Sequence, residues 1–177
     1  MRLFIAIEFP EEIKAALKSG AESLRPYFQR ARFTGKENYH LTMVFLGEVE
    51  PKRLPDIKAA MDACVSTPID IRITRLGRFK GGRGDTLWRK IEAGRELWSL
   101  QSALEKELRQ RGFEIESRPF KPHLTVAREA VLQSGTLEEL SGTLPALSHT
   151  AEGMSLMLSE RKEGKLVYTP LFIRQFC

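Results

Sequence analysis

The sequence predicts an α+β protein, a bilobal duplicated fold of two antiparallel sheets with outer helices flanking a central cleft. Three observations predict it. Segments with strand-type alternation and segments with helix-type spacing follow one another along the whole chain. The tripeptide His-Leu-Thr occurs at His40 and again at His123, 83 positions apart (123 − 40), and the elements around the two copies keep nearly the same offset. The chain has 177 residues, 42% of them hydrophobic, a length that suits one compact unit or two small lobes sharing a core.

The elements follow in order. Arg2 to Phe9 (RLFIAIEF) is a β-rich apolar run ended by Pro10. The next stretch, PEEIKAALKSGAESLRPYF, carries Ile13, Ala16, Leu17 and Leu24 at helical spacing, with Pro10 and two glutamates suited to a helix start. Tyr39 to Gly47 is a strand, and Pro51 to Val65 a helix with Leu54, Ile57, Met61 and Cys64 on one face. Ile69 to Phe79 alternates apolar and polar residues as a half-buried strand should.

The second half repeats the plan. Thr86 to Ile91 is a strand, Glu96 to Arg111 an amphipathic helix stopped by Gly112, and Pro122 to Arg128 a strand. A weaker helical stretch surrounds Leu137 to Leu140, and Met154 to Glu160 and Leu166 to Ile173 supply the closing strands. The first strands begin at Arg2 and Thr86, and the strand at Ile69 meets its counterpart near Glu152. Duplication within a single domain over 1–177 explains this better than coincidence, with halves of about 1–84 and 85–177 and strands open to exchange between lobes. Neither half holds both histidines.

Composition removes several classes. It excludes collagen, low-complexity disorder and coiled coil, and no apolar run approaches the roughly 20 residues of a membrane span. The first residues, MRLFIAIEFPEE, turn acidic too soon for a signal peptide. Two cysteines, Cys64 and Cys177, form no spaced framework, which points to the reducing cytoplasm. Lys plus Arg exceeds Asp plus Glu by 28 to 23, a formal charge of +5 with a pI near 9.4. That excess is compatible with polyanionic partners such as nucleic acid, but +5 is moderate and a solubilising surface is the more ordinary explanation of it.

The repeated tripeptide carries the chemistry. Residues i and i+2 of a strand share a face, so His40 points with Thr42 and His123 with Thr125, while Leu41, Met43, Leu124 and Val126 pack the other way. A pseudo-twofold relation would bring the two pairs face to face across a cleft. Two imidazoles and two hydroxyls converging on one small group suit a phosphate. A neutral imidazole takes a proton from water, a protonated one gives a proton to a leaving oxygen, and the hydroxyls hold the non-bridging oxygens. This acid–base chemistry opens a 2′,3′-cyclic phosphate and requires neither metal nor cofactor. Paired histidines can also be metal ligands, but that wants a third ligand, usually a carboxylate, and neither motif has Asp or Glu at i±2.

With RLFIAIEFP, NYHLTMVFLGEV, RPFKPHLTVAR and KLVYTPL in that order, the chain resembles the two-histidine (2H) phosphoesterases over nearly its whole length. Within them it is similar to the bacterial and archaeal RNA 2′,3′-cyclic phosphodiesterases, also called 2′–5′ RNA ligases. The resemblance implies that His40 is the proton donor to the departing 3′ oxygen and His123 the proton acceptor that activates water. It implies that Thr42 and Thr125 bind phosphate, that Arg128, three positions beyond Thr125, can pair with phosphate charge, and that the product is an RNA 2′-phosphate. Near-symmetric motifs leave the donor and acceptor roles interchangeable. Tyr168 matches the family's C-terminal tyrosine and is a candidate RNA contact, and Arg161 or Lys165 could meet an RNA phosphate, but the segment from Arg161 to Tyr168 departs from the family's spacing, which leaves the individual roles of those two open.

Other features weigh less. GRFKGGRGDT, Gly77 to Thr86, lacks the Gly-Lys-Ser/Thr of a P-loop and is expected to be a hairpin or inter-lobe connection whose basic residues border the cleft. Phe33, Tyr39, Trp88 and Phe120 are candidates for stacking a base, Phe120 foremost because it precedes the second motif. His149 has no partner motif and reads as a surface loop residue. The expected substrate is RNA ending in a 2′,3′-cyclic phosphate, with no membrane and no obligate protein partner. Two alternatives stay open: a nucleotide-binding module of the same cleft, and a 2H enzyme acting on ADP-ribose cyclic phosphate.

Overall fold

The computed structural model describes all 177 residues and arranges nine strands in two antiparallel sheets. The strands are β1 (Arg2–Glu8), β2 (Phe28–Phe33), β3 (His40–Glu48), β4 (Ile69–Phe79), β5 (Asp85–Ala93), β6 (His123–Leu132), β7 (Leu147–Ala151), β8 (Gly153–Lys162) and β9 (Lys165–Gln175). One sheet runs β3-β1-β8-β9 and the other β2-β6-β5-β4-β7. The chain thus crosses between sheets: β4, from the first half, pairs with β5, while β8, from the second, pairs with β1.

Four helices cover the sheets: α1 (Glu11–Leu24), α2 (Leu54–Ala63), α3 (Arg95–Gln110) and the short α4 (Leu137–Gly142). Each of the first three buries one stripe, Leu17, Ala21 and Leu24 on α1, Ile57, Ala60 and Met61 on α2, and Leu97, Leu100, Leu104 and Leu108 on α3. These stripes meet Leu3, Ile5 and Ile7 of β1, Leu41 and Met43 of β3, Ile69, Ile71 and Ile73 of β4 and Leu124 and Val126 of β6 in one continuous core. The alternate residues of β1, Phe4 and Ala6, form a separate small apolar cluster with Met157, against which Tyr168 packs. That cluster underlies the cleft between the sheets.

Local chemistry sets the element ends. Pro26 lacks the N–H that a further turn of α1 would need, so the chain tightens into a 3₁₀ turn over Arg25–Tyr27. After α3, the N–H of Gly112 bonds to the carbonyl of Arg109 and that of Phe113 to Leu108, a Schellman closure that needs the positive φ of Gly112. Gly77 leaves room for Trp88: a Cβ there would lie 2.3 Å from the indole.

The predicted elements are all present, the strand over Ile69–Phe79 with the expected bounds. Two strands were not foreseen, β2 and β7. Both lie at the edges of the five-stranded sheet and are paired on one side only, so they carry polar runs (QRAR in β2, SHT in β7) that mask the alternation. His149 belongs to β7 rather than to a loop; it is half-buried and stands edge-on to Phe9, with ring centroids 5.8 Å apart. GRFKGGRGDT is the β4–β5 hairpin, and its basic residues do not border the cleft. Arg78 pairs with Asp85 and Arg83 with Glu129 on the outside. No helix is long and apolar enough to cross a membrane.

Candidate active site

The two His-Leu-Thr strands lie on opposite sheets and approach each other, β3 at the edge of one and β6 near the edge of the other. Both show the same alternation: His40 and Thr42 half-buried around a buried Leu41, and His123 and Thr125 half-buried around a buried Leu124. Both strands then break register at the same place. In β3, Thr42 faces Ala6 but Val44 faces Ile5; in β6, Thr125 faces Trp88 but Ala127 faces Leu87. Each is one extra residue, a bulge that flips the side-chain parity. The residue three beyond each threonine is therefore returned to the cleft side, Phe45 in β3 and Arg128 in β6, again 83 positions apart.

The histidines are held alike. His40 Nδ1 lies 2.8 Å from the carbonyl of Asn38, and His123 Nδ1 lies 2.6 Å from that of Lys121, two residues back in each case. A carbonyl only accepts, so Nδ1 carries the proton, and in the neutral ring Nε2 presents its lone pair. His40 Nε2 lies 3.0 Å from Thr42 Oγ1. Each ring also has aromatic neighbours. Phe4 and Tyr168 stand 4.8 and 5.1 Å from His40, and Phe79 and Trp88 stand 5.1 and 6.3 Å from His123. Burial lowers His40 to about 4; the Asn38 carbonyl and the Glu8 carboxylate oppose this, and Arg128 and His123 add to it. Burial likewise raises the Tyr168 hydroxyl, against the nearby Arg128 and Arg2 charges.

Both histidines and both threonines line a single cleft of about 900 Å³ between the sheets. The segment joining β2 to β3 crosses its end. Thr34 is tied to β6 by its N–H to Val126 (2.8 Å) and its hydroxyl to the carbonyl of Thr125 (3.0 Å), and Asn38 Nδ2 donates to Leu166 of β9 at 2.9 Å. Basic groups predominate around the opening: Arg2, Arg32, Arg128, Arg161 and Lys165, against Glu37 and Glu160. Nowhere in the chain is a group of three or more His, Cys, Asp or Glu side chains gathered as metal ligands would be.

The family model of the 2′-5′ RNA ligase superfamily matches residues 9–163, most of the chain and both motif strands. The chain belongs to that superfamily. An RNA 2′,3′-cyclic phosphodiesterase of Thermus thermophilus is 33% identical over 97% of this chain and 88% of its own length, and one of Methanocaldococcus jannaschii is 33% identical over 72% and 71%. Among solved structures, TT0787 of Thermus thermophilus superposes with a TM-score of 0.82 at 28% identity, covering 99% of this chain and 98% of that one. Escherichia coli LigT in complex with 3′-AMP shares the fold, with a TM-score of 0.83 at 24% identity over 99% and 97%.

In this member of the superfamily, His40, Thr42, His123, Thr125, Arg128 and Tyr168, all singled out from the sequence, share the one cleft. Arg161 and Lys165 line it too, beside the β8–β9 turn, where Glu163 and Gly164 both take positive φ and Arg161 Nη1 donates to the Gly164 carbonyl at 3.3 Å. Phe120 does not line it. Its ring packs on Trp98, 6.2 Å between centroids, and lines a separate pocket. Of the other stacking candidates, Phe33 lines the cleft, Trp88 lies behind His123, and Tyr39 is fully buried in the core.

Of the cleft residues that sequence reasoning does not single out, two stand out for their chemistry, Phe45 and Arg2. Phe45 is 48% exposed, with the Arg2 guanidinium over its ring at 5.1 Å. Its signal was available, since it stands 83 positions before Arg128. Strict alternation assigns it to the opposite face from Thr42, and only the bulge turns it inward. Arg2, by contrast, reaches the cleft only because β1 lies beside β3, which no local pattern reports.

Proposed function

We propose that this protein hydrolyses RNA 2′,3′-cyclic phosphate termini to 2′-phosphates through a histidine acid–base pair, and carries out reversible 2′–5′ RNA ligation by the same displacement with a 5′-hydroxyl in place of water. The observation that carries the reading is the convergence of two His-Leu-Thr strands, each histidine held through Nδ1 so that Nε2 is the working atom. Curated relatives bearing the name RNA 2′,3′-cyclic phosphodiesterase support it. A single domain built of two duplicated halves accounts for the paired geometry. The exchange of β4 and β8 between sheets and the placing of Phe4 beside His40 and Trp88 beside His123, 84 positions apart (88 − 4), both favour that origin.

In this mechanism the phosphate sits between the two threonine hydroxyls, with Arg128 neutralising its charge. His123 Nε2 takes a proton from water as the water oxygen bonds to phosphorus. The P–O3′ bond breaks, His40 Nε2 gives its proton to the departing oxygen, and phosphate stays on O2′. Phe45 offers a face to the terminal base and Tyr168 packs behind His40. Ligation exchanges water for a 5′-hydroxyl and uses no additional group.

Product analysis on an RNA ending in 2′,3′-cyclic phosphate, run in EDTA, tests the proposal. A 2′-phosphate product at an undiminished rate is expected. A 3′-phosphate product, or loss of turnover restored only by added metal, would refute it. Faster turnover of ADP-ribose cyclic phosphate in the same assay would redirect the substrate.

A further inference from the structure

His123 lines two cavities, the phosphate cleft and a second pocket of about 460 Å³ on its other side. The second pocket is walled by Phe79 and Trp88 from the β4–β5 pair and by Trp98 and Phe120, with Arg75, Lys121 and a Lys90–Glu92 ion pair (3.2 Å) also in its lining. Phe120 also packs against the core, but core packing does not explain Trp98 and Phe79. Trp98 lies off the buried stripe of α3 and is 40% exposed, and Phe79 is 36% exposed. Gly77 lets the Trp88 indole lie against β4, close to the His123 ring. The volume falls in the range of small-molecule sites, and flat apolar walls beside a cation suit a nucleobase joined to a phosphodiester chain.

We propose that this pocket holds the nucleoside carrying the attacking 5′-hydroxyl during ligation, an inference that rests on the function proposed above. In-line displacement puts the attacking and leaving oxygens on opposite sides of phosphorus. The leaving O3′ faces His40, so the cyclic-phosphate nucleotide lies on the side of β3 and Phe45. The attacking oxygen faces His123, so its nucleoside lies beyond His123, where the aromatic pocket is. The step balances within the two RNA ends. The 5′ oxygen bonds to phosphorus and its proton goes to His123 Nε2. The P–O3′ bond breaks and O3′ takes the proton of His40, leaving a 2′–5′ phosphodiester with a free 3′-hydroxyl.

Two measurements on wild type and Trp98→Ala test the assignment. Adenosine, a 5′-hydroxyl nucleoside without phosphate, is titrated by calorimetry with the cleft saturated by inorganic phosphate. Binding to wild type with phosphate present is expected, about tenfold or more weaker in Trp98→Ala. Competition between adenosine and phosphate, or equal affinity in the two proteins, would overturn the assignment. In turnover, Trp98→Ala should hydrolyse cyclic-phosphate RNA at the wild-type rate but cleave a 2′–5′-linked dinucleotide with KM raised by a similar factor and kcat nearly unchanged. An equal loss in both reactions would also overturn it. Failure of wild type to hydrolyse any cyclic phosphate would instead refute the proposed function, and adenosine binding would then report on the pocket alone.

Discussion

His40 must carry a proton to act as the acid, yet burial lowers its pKa to about 4. At pH 7 only about one molecule in a thousand then has His40 protonated. A bound phosphate changes that balance. One negative charge about 4 Å from the imidazole, at an effective dielectric constant of about 20, stabilises the imidazolium by about 4 kcal/mol, or about 3 pKa units. A bound phosphate is thus expected to raise the His40 pKa back towards neutrality, where an acid is most useful. Substrate binding is therefore expected to load the acid with its proton. The assay uses 2′,3′-cyclic AMP, which keeps one negative charge throughout the range, bound to His123→Ala so that turnover is blocked. Calorimetry at pH 5.5 in two buffers of different ionisation enthalpy should record uptake of close to one proton, and NMR of the imidazole should show the rise directly. A His40 pKa that stays below about 5 in the complex would refute the reasoning and exchange the roles of His40 and His123.

His40→Ala and His123→Ala are each expected to lower cyclic-phosphate hydrolysis by about 10²–10⁴-fold with circular dichroism unchanged, and near-wild-type turnover in either would sink the mechanism. The low His40 pKa also ties stability to pH. Because the folded value lies below the ordinary 6.5, the unfolded chain binds the proton first as pH falls. Stability should drop by up to about 3 kcal/mol between pH 6.5 and 4, and denaturant titrations of His40→Gln should lose most of that slope. Gly77→Ala places a methyl 2.3 Å from the Trp88 indole. It should cost about 1–3 kcal/mol in unfolding free energy by denaturant titration and, by moving Trp88, shift the imidazole resonances of His123 while leaving those of His40 in place.

Much of the site is readable because strand geometry is local. Once HLT is placed in a strand, period two puts histidine and threonine on one face and leucine on the other, and the burial pattern around Leu41 and Leu124 follows. Arg128 and Phe45 escape that rule. They reach the cleft because a bulge follows each motif, and a bulge is decided by pairing with β1 and β5. Strands β2 and β7 were hidden for a related reason. An edge strand needs an apolar residue only where it meets the core, so its pairing is set by the neighbouring strand more than by its own residues.

The sequence by itself therefore determined the alternation of strands and helices, the resemblance of the two halves and the identity of the paired histidines and threonines, all of which rest on short-range periodicity and spacing. Tertiary structure alone decided which strands share a sheet, that β4 and β8 cross between sheets, and that desolvation lowers the pKa of His40 while Phe120 is carried to the far side of His123. Those outcomes depend on long-range packing and desolvation, energies that arise only when distant segments exclude water together.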